Sequence, residues 1–271
     1  MRKMKEIIIE ICCGSYYDGL QAEAGGAKRI ELNCALHLGG LTPSLAELIL
    51  LKQNTSLNIV TMVRPRGAGF CYHAQDFEVM YADCELLLKH GADGIAFGCL
   101  EEDGTIHIDQ TKKLLSLIKS YQKEAVFHRA FDCVPDANAA IQLLISLGVD
   151  RILTSGLKEK AFDGAGLIAD LQKQYGSQIE ILAGSGVNSG NAAELLRLTG
   201  INQIHSSCKA WLPDPTTTGK HVTYAYAAAA GQDDRNRYEI VSADLVKELI
   251  DSVRTRYQLH HPADTKAAAP S

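Results

Sequence analysis

Two glutamates interrupt otherwise apolar runs near the start of the chain, Glu10 in Ile7-Ile-Ile-Glu-Ile-Cys-Cys13 and Glu31 in Arg29-Ile-Glu-Leu-Asn-Cys34. Strand alternation puts Glu10 on the face of Ile8 and Cys12, and Glu31 on the face of Asn33. A carboxylate on a buried face is costly unless it is paired. Arg64, Arg66, His128 and Arg129, at the ends of other apolar runs, are available partners. Such pairing sets a carboxylate's pKa, so Glu10 and Glu31 read as general bases or ligands. The competing reading is an internal ion-pair layer that closes a barrel floor. His128-Arg-Ala-Phe-Asp132 adds an imidazole with a carboxylate a few residues on, the pattern of an oriented acid or base. The candidate catalytic residues are therefore Glu10, Glu31, His128 and Asp132.

Arg64-Pro-Arg66-Gly67 reads as an anion clamp, because the planar guanidinium fork suits carboxylate or phosphate and Pro65 stiffens the turn. The alternative is that both arginines pair with Glu10, Glu31 and Asp132. Thr154-Ser155-Gly156, Gly184-Ser-Gly186 and His205-Ser206-Ser207 end three further runs. The last two fall where barrels build phosphate sites from backbone amides. The candidate substrate-binding residues are Arg64, Arg66, Arg129, Ser155, Gly184, Gly186, His205 and Ser206. Gly184, Gly186 and Gly190 lack the spacing of a dinucleotide fingerprint. The eight cysteines show no Cys-x-x-Cys pair and read as reduced thiols. Cys12, Cys13 and Cys34 lie at the ends of the first two runs, where two of them could converge on a thiophilic ion such as Cu(I). Cys84 and Cys99 read as small hydrophobes.

The elements that would position these groups are eight short apolar strands, each followed by a stretch of helical spacing. We place the strands at Glu6–Cys12, Arg29–Asn33, Asn58–Arg64, Gly94–Gly98, Ala125–Arg129, Arg151–Ser155, Glu180–Ala183 and Gln203–Ser206. Continuous Ile, Val and Leu runs suit strands covered on both faces. Gly91-Ala-Asp93 and Gly148-Val-Asp150 stop helices just before strands, and Ser44 with Glu47 forms a capping box. The pattern predicts an α/β chain folded as a single (β/α)8 TIM barrel over residues 1–258. Its strand ends meet on one rim, where such folds keep their sites. A long mobile rim loop is expected over 213–236. A last helix capped by Ser242 should turn Leu245, Val246, Leu249 and Ile250 inward, followed by a disordered tail at 259–271.

A net charge of −5 argues against nucleic acid or an anionic membrane as partner. No apolar run approaches the ~18 residues of a membrane span. The apolar run after the basic start is too short for a signal peptide, so a cytoplasmic location is expected.

Several of these motifs occur together and in order: Glu10-Ile-Cys-Cys13, Arg29-Ile-Glu-Leu32, Gly39-Gly-Leu-Thr-Pro-Ser44, Arg64-Pro-Arg-Gly67, Phe70-Cys-Tyr72, His128-Arg-Ala-Phe-Asp132, Leu153-Thr-Ser-Gly156 and His205-Ser-Ser207. In them the chain resembles the CutC copper-homeostasis family, up to about residue 211. The resemblance implies a TIM barrel, a cytoplasmic location, homo-oligomers in some members and Cu(I) bound by cysteines. The chain departs from the family pattern at two motifs, and its residues 213–236 align poorly with the family. Asn33 stands where the family continues Glu-Leu with Cys, and the thiol moves to Cys34. The family's Gly-Gly-Asp-Phe loop becomes Gly67-Ala-Gly-Phe70. Shifting the thiol by one residue turns it to the opposite face if the strand is still regular there.

Two functions follow. One is a copper-handling protein that binds Cu(I) through Cys12 with Cys34 or Cys13. The other is an enzyme acting on a small phosphorylated or carboxylated metabolite, with strand-end Glu, His and Asp moving protons and Arg64 and Arg66 holding the anion. The expected partner is a copper ion or a small-molecule anion, together with further copies of the chain.

Overall fold

The computed structural model describes residues 6–225 and 236–259. Its strands are β1 (Ile8–Cys13), β2 (Arg29–Leu32), β3 (Asn58–Met62), β4 (Gly94–Phe97), β5 (Glu124–Phe127), β6 (Arg151–Thr154), β7 (Glu180–Ala183) and β8 (Gln203–Ser206). Each pairs in parallel with the next, and β8 pairs with β1 to close the barrel. Helices α1 (Tyr16–Ala24), α2 (Leu45–Asn54), α3 (Ala74–Lys89), α4 (Ile108–Ser120), α5 (Ala137–Leu147), α6 (Ala165–Tyr175), α7 (Ala192–Thr199) and α8 (Ala243–Leu259) follow the eight strands in turn. The chain is a TIM barrel, as its strand and helix periodicity predicts.

Local chemistry sets the element ends. Ser44 and Glu47 form the expected capping box at α2. Gly148 ends α5 with a φ of 89°, its N–H donating to the carbonyls of Leu144 and Ile145. Five strands end before the expected limits, β2, β4 and β6 by one residue and β3 and β5 by two. β3 ends at Met62 because Arg64 trades its backbone bonds to Thr42, and Pro65 has no N–H to continue the ladder. β5 ends at Phe127 because the His128 ring accepts from the Ala130 N–H, starting a 3₁₀ turn over Arg129–Cys133.

The barrel separates two cores. Outward side chains such as Ile11, Ile30, Ile59, Phe97 and Ile204 pack under the helices. Inward side chains of β3 to β7 form a smaller apolar cluster of Val60, Met62, Ala96, Val126, Leu153 and Leu182. Polar side chains hold many of the other inward positions, Glu10, Arg29, Glu31, Arg151, Gln203 and His205 among them. At the floor Arg151 pairs with Glu124 and Glu180 at 3.1 and 2.9 Å. Arg29 donates to Gln203 at 2.7 Å and pairs with Glu10 at 2.7 Å, a charge contact not aligned as a hydrogen bond. Glu10 thus finds its cation in Arg29, its register neighbour on β2, rather than in Arg64, Arg66 or Arg129 at the strand ends.

The segment expected as a mobile loop is flanked by two paired strands. β9 (Lys209–Pro213) and β10 (Arg237–Val241) pair antiparallel, and the Val241 N–H donates to buried Asp18. Residues 226–235 of that loop lie outside the described residues, as does the expected tail from 260 onward; α8 itself runs to Leu259. On α8, Val246 and Leu249 are buried as expected, whereas Leu245 is 38% exposed because it sits one position round the helix from that face. Among the described residues no helix is long and apolar enough to cross a membrane.

Gly98, just past β4, makes room for the His128 ring. A Cβ there would lie 2.7 Å from both the ring and the Ala130 Cβ. We predict that Gly98→Ala costs about 1–3 kcal/mol by overpacking, read as a lower urea midpoint with an unchanged m-value; an unaltered midpoint would refute this account.

Candidate functional site

Adjacent strands β8, β1 and β2 turn His205, Cys12, Glu31 and Asn33 toward the rim. Glu10 stands opposite His205 in register, and its Oε1 lies 2.9 Å from His205 Nδ1. This fixes the ring and leaves Nε2 3.9 Å from Glu31 Oε2. One ligand atom each from Cys12, Glu31 and His205 lies within 4.8 Å of the others. Asn33 Nδ2 donates to Glu31 Oε2 at 3.0 Å and to Cys12 Sγ at 3.6 Å, tying the two together.

Electrostatics divides the roles. Burial pushes the Glu10 carboxyl up, but Arg29 and His205 prevail and hold it at about 2. Burial would lower His205, yet its hydrogen bonds to Cys12 and Glu10 and the Glu31 charge keep it well above the ordinary imidazole value. Burial raises Glu31 and Cys12, with His205 opposing in each case. The cluster therefore contains an ionised carboxylate, an imidazolium, and a carboxyl and a thiol that resist ionisation. Such a set can donate and accept protons, or exchange its protons for a metal cation.

The cluster borders a cavity of about 560 Å³ at the barrel mouth, which Met62, Arg64, Phe70, His128, Arg129 and Gly186 also border. His128 is buried, its Nδ1 accepting from the Ala130 N–H at 3.1 Å. Burial and the nearby Arg64 charge lower its pKa to about 3, so the ring is neutral and Nε2 carries the hydrogen. Arg64 spends three of its four Nη hydrogens on the carbonyls of Leu38, Gly40 and Ala68. Ser206 Oγ donates to the Val187 carbonyl, holding the β7 loop over the mouth.

The remaining sequence candidates make other contacts. Asp132 accepts from Thr154 Oγ1 at 2.6 Å, the Ser155 N–H and Oγ, and Arg129 Nε at 2.8 Å, so it clasps the β5 and β6 loops together. Arg129 Nη2 also donates to Ser155 Oγ. Arg66 pairs with Asp76 at 2.9 Å, outside the cavity lining. Gly184 packs against Leu153 and His205, where a Cβ would lie 2.8 Å from Leu153 Cδ1. Cys13 faces the helix layer. Cys34 Sγ donates to the Thr42 carbonyl at 3.0 Å, because β2 has ended at Leu32 and Cys34 turns to bridge Leu41. Sequence reasoning missed two contributors. Arg29 shares an inward face with Glu31 two residues on, so the same parity would have found it. Asn33 was placed on that face, but its part in joining Cys12 to Glu31 was not foreseen.

Residues 7–210 match the family model described as CutC family. The chain is similar to a family protein CutC of Treponema denticola, 44% identical over 92% of this chain and 100% of that one. It is also similar to the human copper homeostasis protein cutC homolog, 39% identical over 74% of this chain and 73% of that one. Among solved structures, a candidate copper homeostasis protein CutC from Streptococcus agalactiae matches at 28% identity and a TM-score of 0.70, over 74% of this chain and 98% of that one. An N-(5'-phosphoribosyl)anthranilate isomerase from Pyrococcus furiosus matches at 12% identity and a TM-score of 0.53, over 92% of this chain and 100% of that one, which shows a shared fold alone.

A carboxylate held at about 2 against an ordinary 4.5 contributes on the order of 3 kcal/mol of stability. That contribution is complete above the unfolded value and disappears as pH falls from 4.5 toward 2. Glu10→Gln should thus destabilise the protein by about 3 kcal/mol at pH 7, with wild type losing its lead through that acid range. Denaturant titrations at stepped pH check this, and a gap that stays constant down to pH 3 would exclude ionised Glu10 as its source.

Proposed function

We propose, from the premise that the chain belongs to the CutC family, that it handles copper at the barrel mouth through Cys12, His205 and Glu31. The observation that carries this reading is the convergence of one thiol, one imidazole and one carboxylate within 4.8 Å. The donor set fits the metal. A thiolate and an imidazole suit Cu(I), and the carboxylate supplies a further, harder oxygen. Glu10 on His205 Nδ1 is the outer carboxylate that metal-binding histidines commonly have. Copper itself enters from the names of relatives, the human and mouse homologues among them. What favours this set over a pair of cysteines is the position of Asn33 beside Cys12, with Cys13 turned to the helices and Cys34 bonded to Thr42. In this reading the protein works in the cytoplasm as a homo-oligomer.

The cavity supports a second reading, since about 560 Å³ far exceeds the needs of one ion and falls in the range of small-molecule pockets. The protein would then be an enzyme on a small anionic metabolite, with Glu31 and His205 exchanging protons with it. Arg64 and His128 stand on the wall of that cavity.

Anaerobic Cu(I) titration against a competing chelator tests the metal reading. Cys12→Ser and His205→Gln should each weaken binding by at least about tenfold, in keeping with the sensitivity of metal sites to their supporting groups. Cys34→Ser should bind as wild type does. Equal affinity in all four proteins would remove copper from this cluster. Binding at neutral pH should also release protons into a weakly buffered solution, because His205 and Cys12 give theirs up to the metal.

A further inference from the structure

Arg64 differs from the other arginines that the fold buries or brings to the rim. Arg29 pairs with Glu10, Arg66 with Asp76, Arg129 with Asp132, and Arg151 with Glu124 and Glu180. Arg64 is 5% exposed, and among the described residues no carboxylate lies within ion-pair distance of it. Its three carbonyl partners satisfy hydrogens without neutralising the charge. A buried guanidinium is costly in that state.

Two hydrogen-bond donors nearby also lack acceptors. Arg64 Nε and His128 Nε2 are both buried with no partner. His128 Nδ1 already accepts from Ala130, so the Nε2 of the neutral ring is a donor, as Arg64 Nε is. Orphaned buried donors are rare in native proteins and call for an explanation. Both residues lie against the same ring, with Arg64 Cζ 5.1 Å and the His128 ring 4.9 Å from the Phe70 centroid. All three residues border the mouth cavity, beside the apolar Met62 and Leu153.

We infer that Arg64 Nε and His128 Nε2 form a subsite for the carboxylate of a small organic acid bound in the barrel mouth. The inference deepens the second reading above and rests on it. A carboxylate brings one negative charge and two acceptor oxygens, matching one unpaired guanidinium and two single donors. A phosphate dianion carries more charge and more acceptor oxygens than this wall provides for. Since both nitrogens are closed off and Phe70 lies against both groups, the acid enters by displacing that ring. Its hydrocarbon part then rests on Met62 and Leu153, and its far end meets Glu31 and His205.

The test uses metal-free full-length protein and a set of probes: lactate, malate, succinate, glutarate, inorganic phosphate and chloride. Binding is read by calorimetry and thermal shift. At least one carboxylate should bind saturably, while phosphate and chloride should not. His128→Phe keeps a ring against Phe70 and removes the donor, together with the Nδ1 acceptor of the Ala130 N–H, so it should weaken that carboxylate at least about tenfold. Its Cu(I) affinity should be unchanged, which also reports that the variant is folded. In wild type the His128 Nε2 resonance should shift on adding the acid, a readout independent of any variant. Equal carboxylate binding by His128→Phe, with no shift of that resonance, would overturn the subsite yet leave the cavity as a ligand site. Preferential binding of phosphate would overturn the carboxylate assignment. Failure of every probe to bind wild type would overturn the subsite as well, and turnover of a metabolite lacking a carboxylate would leave the enzyme reading standing alone.

Discussion

One buried carboxylate joins the foundation of this molecule to its chemistry. Glu10 is buried in the barrel interior with Arg29 on one oxygen and His205 on the other. Neither cation would be tolerable in that interior without it, and the carboxylate would be equally costly alone. The pair below belongs to the floor layer with Gln203, and the contact above fixes which ring nitrogen His205 offers to Cys12 and Glu31. Stability and site geometry therefore depend on the same atoms.

The barrel interior is divided accordingly. On the β3 to β7 side, above the floor of Glu124, Arg151 and Glu180, apolar residues fill the space, and β4 contributes only Gly94 and Ala96 to the inside. On the β8, β1 and β2 side, ionisable groups rise from floor to rim in continuous contact. The mouth lies over both halves, so a ligand there meets an oily surface on one flank and exchangeable protons on the other. That asymmetry is what a metal site or a small-molecule site at the mouth would share.

Much of this was legible in the chain. Continuous apolar runs and the glycines that stop helices located all eight barrel strands, because buried parallel strands have little other composition available to them. Alternation placed Glu10 with Cys12, and Glu31 with Asn33, on the inward face. Partners across strands were not legible, since they depend on register. Arg29 and His205 reach Glu10 because both stand opposite it in neighbouring strands, which no local pattern encodes. Parity also failed where strands ended early. Cys34 lies two residues beyond β2, so its direction follows the turn to Leu41. Asp132 looked like an acid or base by type, but backbone and side-chain donors that only the folded loops bring together absorb its oxygens.

The ion-paired floor has a bearing on traffic. Arg151, 1% exposed and bracketed by two glutamates, plugs the end opposite the mouth, with Arg29 and Gln203 behind it. With that end filled among the described residues, a ligand of the mouth cavity would leave by the doorway through which it came, and a recipient would have to meet the rim face to face.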